Sequence, residues 1–124
     1  MATFNKSDSG KEEDNAFRGI WLIDLTIDNT HAGSGSITAD RHRILGGDLD
    51  FLYSGSYQIL NGDVFIIINI ESASSTECIP FYQGTNRISV SVSGRLNGAR
   101  LKLSGVANTA PPLSAEVELI RLSS

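Results

Sequence analysis

The sequence predicts an all-β domain, an eight-stranded antiparallel up-and-down barrel. Three observations lead there. Apolar and polar residues alternate with period two through most of the chain, and no stretch sustains a helical period long enough to compete. Two Asn-Gly pairs, Asn61-Gly62 and Asn97-Gly98, each lie between alternating segments, and Asn-Gly is the strongest short hairpin signal. The segments follow one another through short turns, so the strands must either close on themselves or leave two unpaired edges that promote aggregation. A two-sheet sandwich would need longer cross-connections, and only 72–84 is long enough to be one.

Residues 1–16, MATFNKSDSGKEEDNA, are polar and without period, with Phe4 the only apolar anchor. They bury too little surface to offset the entropy of ordering, so a disordered tail is expected, followed by a single domain over 17–124. Strand one is expected from Arg18 to Asp28, with Trp21, Ile23, Leu25 and Ile27 on one face and Asp24, Thr26 and Asp28 on the other. Strand two runs from Gly33 to Ala39, with Ser34, Ser36 and Thr38 on its polar face. The chain turns at 40–43, and a short strand three covers Ile44 to Asp48. Strands four, Phe51 to Leu60, and five, Val64 to Ile70, form a hairpin about Asn61-Gly62. A longer loop, Ser72 to Gly84, holds Pro80 and Cys78. Strand six, Arg87 to Leu96, alternates Ile88, Val90 and Val92 with Ser89, Ser91 and Ser93. After Asn97-Gly98, strand seven turns Leu101 and Leu103 inward and Arg100 and Lys102 outward. Pro111-Pro112 break the chain before strand eight, Leu113 to Arg121, where Ala115, Val117 and Leu119 face away from Glu116 and Glu118.

Composition narrows the function. At 124 residues with 40% hydrophobic content the chain is one globular domain. The formal net charge of −4 argues against direct nucleic-acid binding, which needs a basic footprint. From Arg18 onward there are 8 basic and 10 acidic residues, spread evenly. Cys78 is the single cysteine, so no internal disulfide forms, which fits a reducing cytoplasm. No apolar run has membrane-spanning length, and the first residues lack the pattern of a signal peptide. The expected location is the cytoplasm of a bacterium.

An eight-stranded barrel is just wide enough to be filled by side chains or to hold one small ligand. Gly33, Gly35, Gly55, Gly94 and Gly105 fall on the inward face, as do Trp21, Phe51, Tyr53 and Tyr57. Either the glycines make room for these rings and for strand bending, or the rings line a residual apolar cavity. Two strands carry apolar residues on the outward face: Ile20 and Leu22 in strand one, Phe65 and Ile67 in strand five. Such residues are usually covered. Packing under the loop or tail would do so, and so would a homodimer interface.

The pattern Gly33-x-Gly35, Ile44-Leu45-Gly46-Gly47-Asp48, Tyr53-x-Gly55-x-Tyr57, Ile88 to Gly94 and Leu101-x-Leu103-x-Gly105 resembles that of the GrlR-type proteins. These are small bacterial lipocalin-like barrels named for a negative regulator of type III secretion genes. The resemblance covers about 18–122, with Gly46, Gly47 and Asp48 as its characteristic turn. It implies an eight-stranded barrel, a homodimer, and binding rather than catalysis. The regulatory member sequesters a helix-turn-helix transcription activator. Its acidic run lies in the hairpin equivalent to Ile59–Gly62, which is uncharged in this chain.

Reactive constellations are sparse. His31 and His42 both fall in expected turns, where solvent-exposed histidines are the simpler reading. Two histidines and one distant cysteine are too few for a zinc site. Nothing in the sequence brings Cys78 to either histidine. Asp48 and Asp50 share a face of an extended segment and could bind a cation or exchange protons, but Asp after Gly-Gly is better explained as a turn former. No phosphate loop, nucleophile elbow or dinucleotide fingerprint is present, and no cofactor or metal is expected. Two functions are therefore expected from the sequence. One is a non-enzymatic dimer that binds a protein partner, such as a transcription activator, with Ile20, Leu22, Phe65 and Ile67 at the interface. The other is a small apolar-ligand binder whose cavity is lined by Trp21, Phe51, Tyr53 and Tyr57.

Overall fold

Period-two strands joined by tight turns close into one barrel. The computed structural model describes residues 16–72 and 87–123. Its strands are β1 (Gly19–Ile27), β2 (Thr30–Asp40), β3 (Arg43–Gly47), β4 (Phe51–Leu60), β5 (Asp63–Ser72), β6 (Arg87–Arg95), β7 (Arg100–Ala107) and β8 (Leu113–Ser123). Each pairs antiparallel with the next, and β8 pairs with β1, so the eight-strand circuit is closed. This is the expected up-and-down barrel. The sequence-expected residues 1–15, with Phe4, and the loop 73–84, with Cys78, lie outside the described residues.

Three hairpins turn on two residues, both at positive φ: Asp28-Asn29 (53° and 61°), Arg41-His42 (51° and 67°) and Asn61-Gly62 (54° and 83°). Positive φ at both central positions gives the type I′ twist that matches a right-handed strand pair. Only the third was legible as an Asn-Gly pair. The first corrects the expected start of strand two: the chain reverses at Asp28-Asn29, because Asp and Asn tolerate the left-handed region. The strand therefore begins at Thr30 and contains His31, which had been expected in a turn. At the second turn, Tyr57 donates its backbone N–H to the His42 carbonyl at 3.0 Å, which ties the loop to β4. The other strand ends differ from expectation by one or two residues, the ordinary range for fraying termini.

The extra length of β2 is absorbed by a bulge. Leu25 pairs with Gly33 and Thr26 with His31, so Ala32 has no partner across β1. Ala32 packs partly against the core, and the parity of Ser34, Ser36 and Thr38 is preserved beyond it. Inward residues of all eight strands form a single cluster, with Trp21, Ile23, Leu25 and Ile27 from β1 among the most buried. Strands also approach each other closely at glycine. A Cβ on Gly55 would lie 1.9 Å from the Ile67 carbonyl oxygen, and one on Gly105 would lie 1.8 Å from that of Ser91. Those oxygens belong to fixed sheet backbone, so any side chain there would force strands apart.

Candidate functional site

The barrel interior is occupied by its own rings. Trp21 and Tyr53 are 0% exposed, Tyr57 is 2% and Phe51 is 9%. A side chain lining a hollow that could hold even a water would show surface to it, and Trp21 and Tyr53 show none. Phe17, from the helical residues that precede β1, stacks on Trp21 with centroids 5.0 Å apart and tilts against Tyr57 at 4.7 Å. The Trp21 Nε1–H donates to the Phe17 carbonyl at 2.8 Å. Arg121 lies 4.3 Å over the Trp21 ring and donates to the carbonyls of Arg18 and Ala16, which fastens this end of the barrel. Partial desolvation lowers the pKa of that guanidinium from its ordinary value.

At the other end of β4, Asp48 organises the turn after Gly46-Gly47. Its Oδ1 accepts the backbone N–H groups of Asp50 and Phe51, each at 2.7 Å, and its Oδ2 accepts the Tyr53 hydroxyl at 3.0 Å. This is the turn-forming role expected of Asp48. Burial and the adjacent Asp48 carboxylate both raise the Tyr53 pKa above its ordinary value, since each disfavours the phenolate. Gly33 makes room for this hydroxyl: a Cβ there would stand 2.6 Å from it. The Gly46-Gly47-Asp48 turn and the interior tyrosine thus form one connected unit, which the sequence had shown only as separate motifs.

The outer surface holds the unpartnered apolar residues. Ile20, Leu22, Phe65 and Ile67 are all exposed, as their parity required. They do not form one patch. Ile20 and Leu22 lie on β1 and Phe65 and Ile67 on β5, four strands away in either direction round the circuit. Across β4 to β7, Phe65 and Ile67 stand among Ser56, Gln58, Ser91, Ser93 and Ser104 around a concavity of about 600 Å³, and exposed Val106 lies across from Ser91 beside it. The ends of this face carry two exposed ion pairs, Arg95 with Asp63 at 3.1 Å and Arg87 with Glu71 at 3.2 Å. Round the barrel, Leu22 and Ile120 border a second concavity of about 670 Å³ that also contacts Asp24, Asp48 and Glu118.

His31 meets two polar side chains that sequence spacing did not connect. Its Nε2 is 2.8 Å from both Asp24 Oδ1 and Ser34 Oγ, and the Ser34 hydroxyl also donates to Asp24 at 2.8 Å. The bulge at Ala32 and the Asp24–Ser34 register bring them together. Serine, histidine and aspartate here do not form a nucleophilic relay. A relay needs aspartate on one ring nitrogen and serine on the other, whereas here both contact Nε2. His42 approaches the Tyr57 carbonyl through Nδ1 at 3.3 Å. Among the described residues, no group of three His, Cys, Asp or Glu side chains could hold a metal ion, and no helix is long and apolar enough to cross a membrane.

No family model matches this chain, and no curated protein matches it.

Proposed function

We propose that the chain is a non-enzymatic binding protein of the cytoplasm that resembles the GrlR-type negative regulators, works as a homodimer, and binds a protein partner through its outer strands. One observation carries this reading. The interior is packed with the barrel's own aromatic rings, while Ile20, Leu22, Phe65, Ile67 and Val106 face outward with nothing over them among the described residues. Recognition then belongs to the outside of the barrel.

The β4–β7 face suits the two-fold contact. A two-fold interface sets a surface against its own copy, so unpaired charge near the axis would repel itself. The centre of this face is apolar and hydroxyl-bearing, and the charges at the ends of β5 and β6 are paired, while Arg100 and Lys102 lie at its β7 border. The test is the mass of native protein and of Ile67→Asp by light scattering after size exclusion. A dimer that becomes a monomer supports the reading, and an unchanged mass overturns the assignment of this face. An apolar small molecule bound in native mass spectrometry would favour the ligand-binding alternative instead.

A further inference from the structure

The concavity beside β1 has a composition unlike the rest of the outer surface. Its walls are Leu22 of β1, Ile120 of β8 and Leu49, which is 97% exposed in the turn between β3 and β4. Its floor is open because Gly47, which pairs with Ser36 and Leu52 on the outward parity, brings no side chain. Three carboxylates, Asp24, Asp48 and Glu118, border it, and no lysine or arginine is among its lining residues. Cross-strand pairing sets Asp24 directly beside Glu118, so two like charges stand together against the apolar walls. Like charges directly opposite each other are destabilising in a sheet. His31 on Asp24, and Lys102 across from Glu118 in the adjoining concavity, offset part of that repulsion, and a cation from a partner would offset more of it. Of the three, Asp48 is engaged by two backbone N–H groups and Tyr53, and Asp24 by His31 and Ser34. Glu118 makes no ion pair among the described residues; Lys102 lies across from it on β7 but forms none of the described bridges.

We infer that this groove is the docking site for a cationic amphipathic peptide segment of the partner protein, with a leucine-like side chain seated between Leu22, Ile120 and Leu49 and flanking lysine or arginine side chains on Asp24 and Glu118. The inference rests on the protein-binding reading above and assigns that partner its own surface, separate from the dimer face. Charge complementarity selects this occupant over a second copy, because a copy would bring Asp24 and Glu118 against Asp24 and Glu118. Interfacial carboxylates of this kind act chiefly by steering and by rejecting like-charged partners, so binding should weaken with salt.

Fluorescence anisotropy with a labelled synthetic helix of lysine and leucine at amphipathic spacing provides the test. Two control peptides accompany it, one with glutamate for lysine and one with alanine for leucine. The lysine–leucine peptide is expected to bind the native protein, more weakly as salt rises, and both controls at least tenfold more weakly. Glu118→Lys should reduce affinity at least tenfold, and so should Ser36→Arg, which puts a cation in the groove without altering any carboxylate. Thermal melts confirm that each variant is folded. Equal affinity for native protein and both variants, or equal binding of the glutamate peptide, overturns the proposal. So does Leu22→Asp converting a dimer to a monomer, since the groove would then belong to the contact between copies. Loss of peptide binding in the variants with the native mass intact separates this site from the β4–β7 face. Failure here with Ile67→Asp still giving monomers leaves the dimer reading in place.

Discussion

The outer face of β4 to β7 and the outer face of β8, β1 and β2 are written in the same alternating pattern, yet they treat charge in opposite ways. The first sets Phe65, Ile67 and Val106 among serines and pairs its end charges, Arg95 with Asp63 and Arg87 with Glu71. The second sets Leu22 and Ile120 among carboxylates, with Asp24 directly across from Glu118. Both expose apolar side chains that a solitary soluble barrel would not need. A surface whose centre is uncharged suits contact with its own copy, whereas a surface rich in carboxylates suits a partner of the opposite sign. Two apolar faces on one small barrel therefore need not be two halves of one interface.

The comparison is broken most completely by removing the backbone geometry beneath the β4–β7 face. In Gly55→Ala the new Cβ would strike the Ile67 carbonyl oxygen, which is sheet backbone and cannot swing aside. Urea denaturation should show a loss of about 3 kcal/mol, at the upper end of overpacking costs. Next in size is Ile67→Asp. It should raise the dissociation constant of the proposed dimer by at least about 30-fold, or about 2 kcal/mol, the scale of a residue central to an interface. Sedimentation over a concentration series would measure it, with Leu22→Asp as the matched control that keeps the dimer.

A smaller effect sharpens the description of the carboxylate side. Tyr53→Phe removes one of the three donors on Asp48 and should cost about 1 kcal/mol at neutral pH, the usual net worth of a hydrogen bond. It should also change the alkaline limb. The folded-state pKa of Tyr53 is raised above its unfolded value of about 10, so its stabilising share is full below that pH and is lost as pH climbs above it. Chemical denaturation followed from pH 9 upward should fall less steeply in Tyr53→Phe than in the native chain. Equal slopes would show that burial of this phenol does not govern alkaline stability. The smallest expected effect is Arg95→Ala. Its ion pair with Asp63 is exposed, so its loss should cost no more than about 0.5 kcal/mol by thermal melting. The same variant should leave the mass of the proposed dimer unchanged, because the pair borders the β4–β7 face without anchoring it.

Much of the fold was legible because period two is a local property. Ile88, Val90 and Val92 against Ser89, Ser91 and Ser93 assign their own faces, and all three apolar residues are buried. The turn at Asn61-Gly62 was legible because glycine and asparagine declare a left-handed backbone. Arg41-His42 was not, since neither residue commonly marks one, and Asp28-Asn29 was hidden at the end of a strand. The candidate surfaces were legible only in part. Parity alone placed Ile20, Leu22, Phe65 and Ile67 outside, but it could not say which of them are neighbours. That depends on how far apart β1 and β5 stand in a closed circuit.

By itself, then, the sequence determined the order of the strands, their inward faces and the turn-forming role of Asp48, because each follows from alternation and from backbone preferences within a few residues. Only the tertiary structure decided that Trp21, Tyr53 and Tyr57 fill the barrel, that Tyr53 reaches Asp48 over Gly33, that His31 meets Asp24 and Ser34, and that the exposed apolar residues divide between two faces of different charge. Those outcomes rest on register, on a one-residue bulge and on closure, which bring together residues that no local pattern relates.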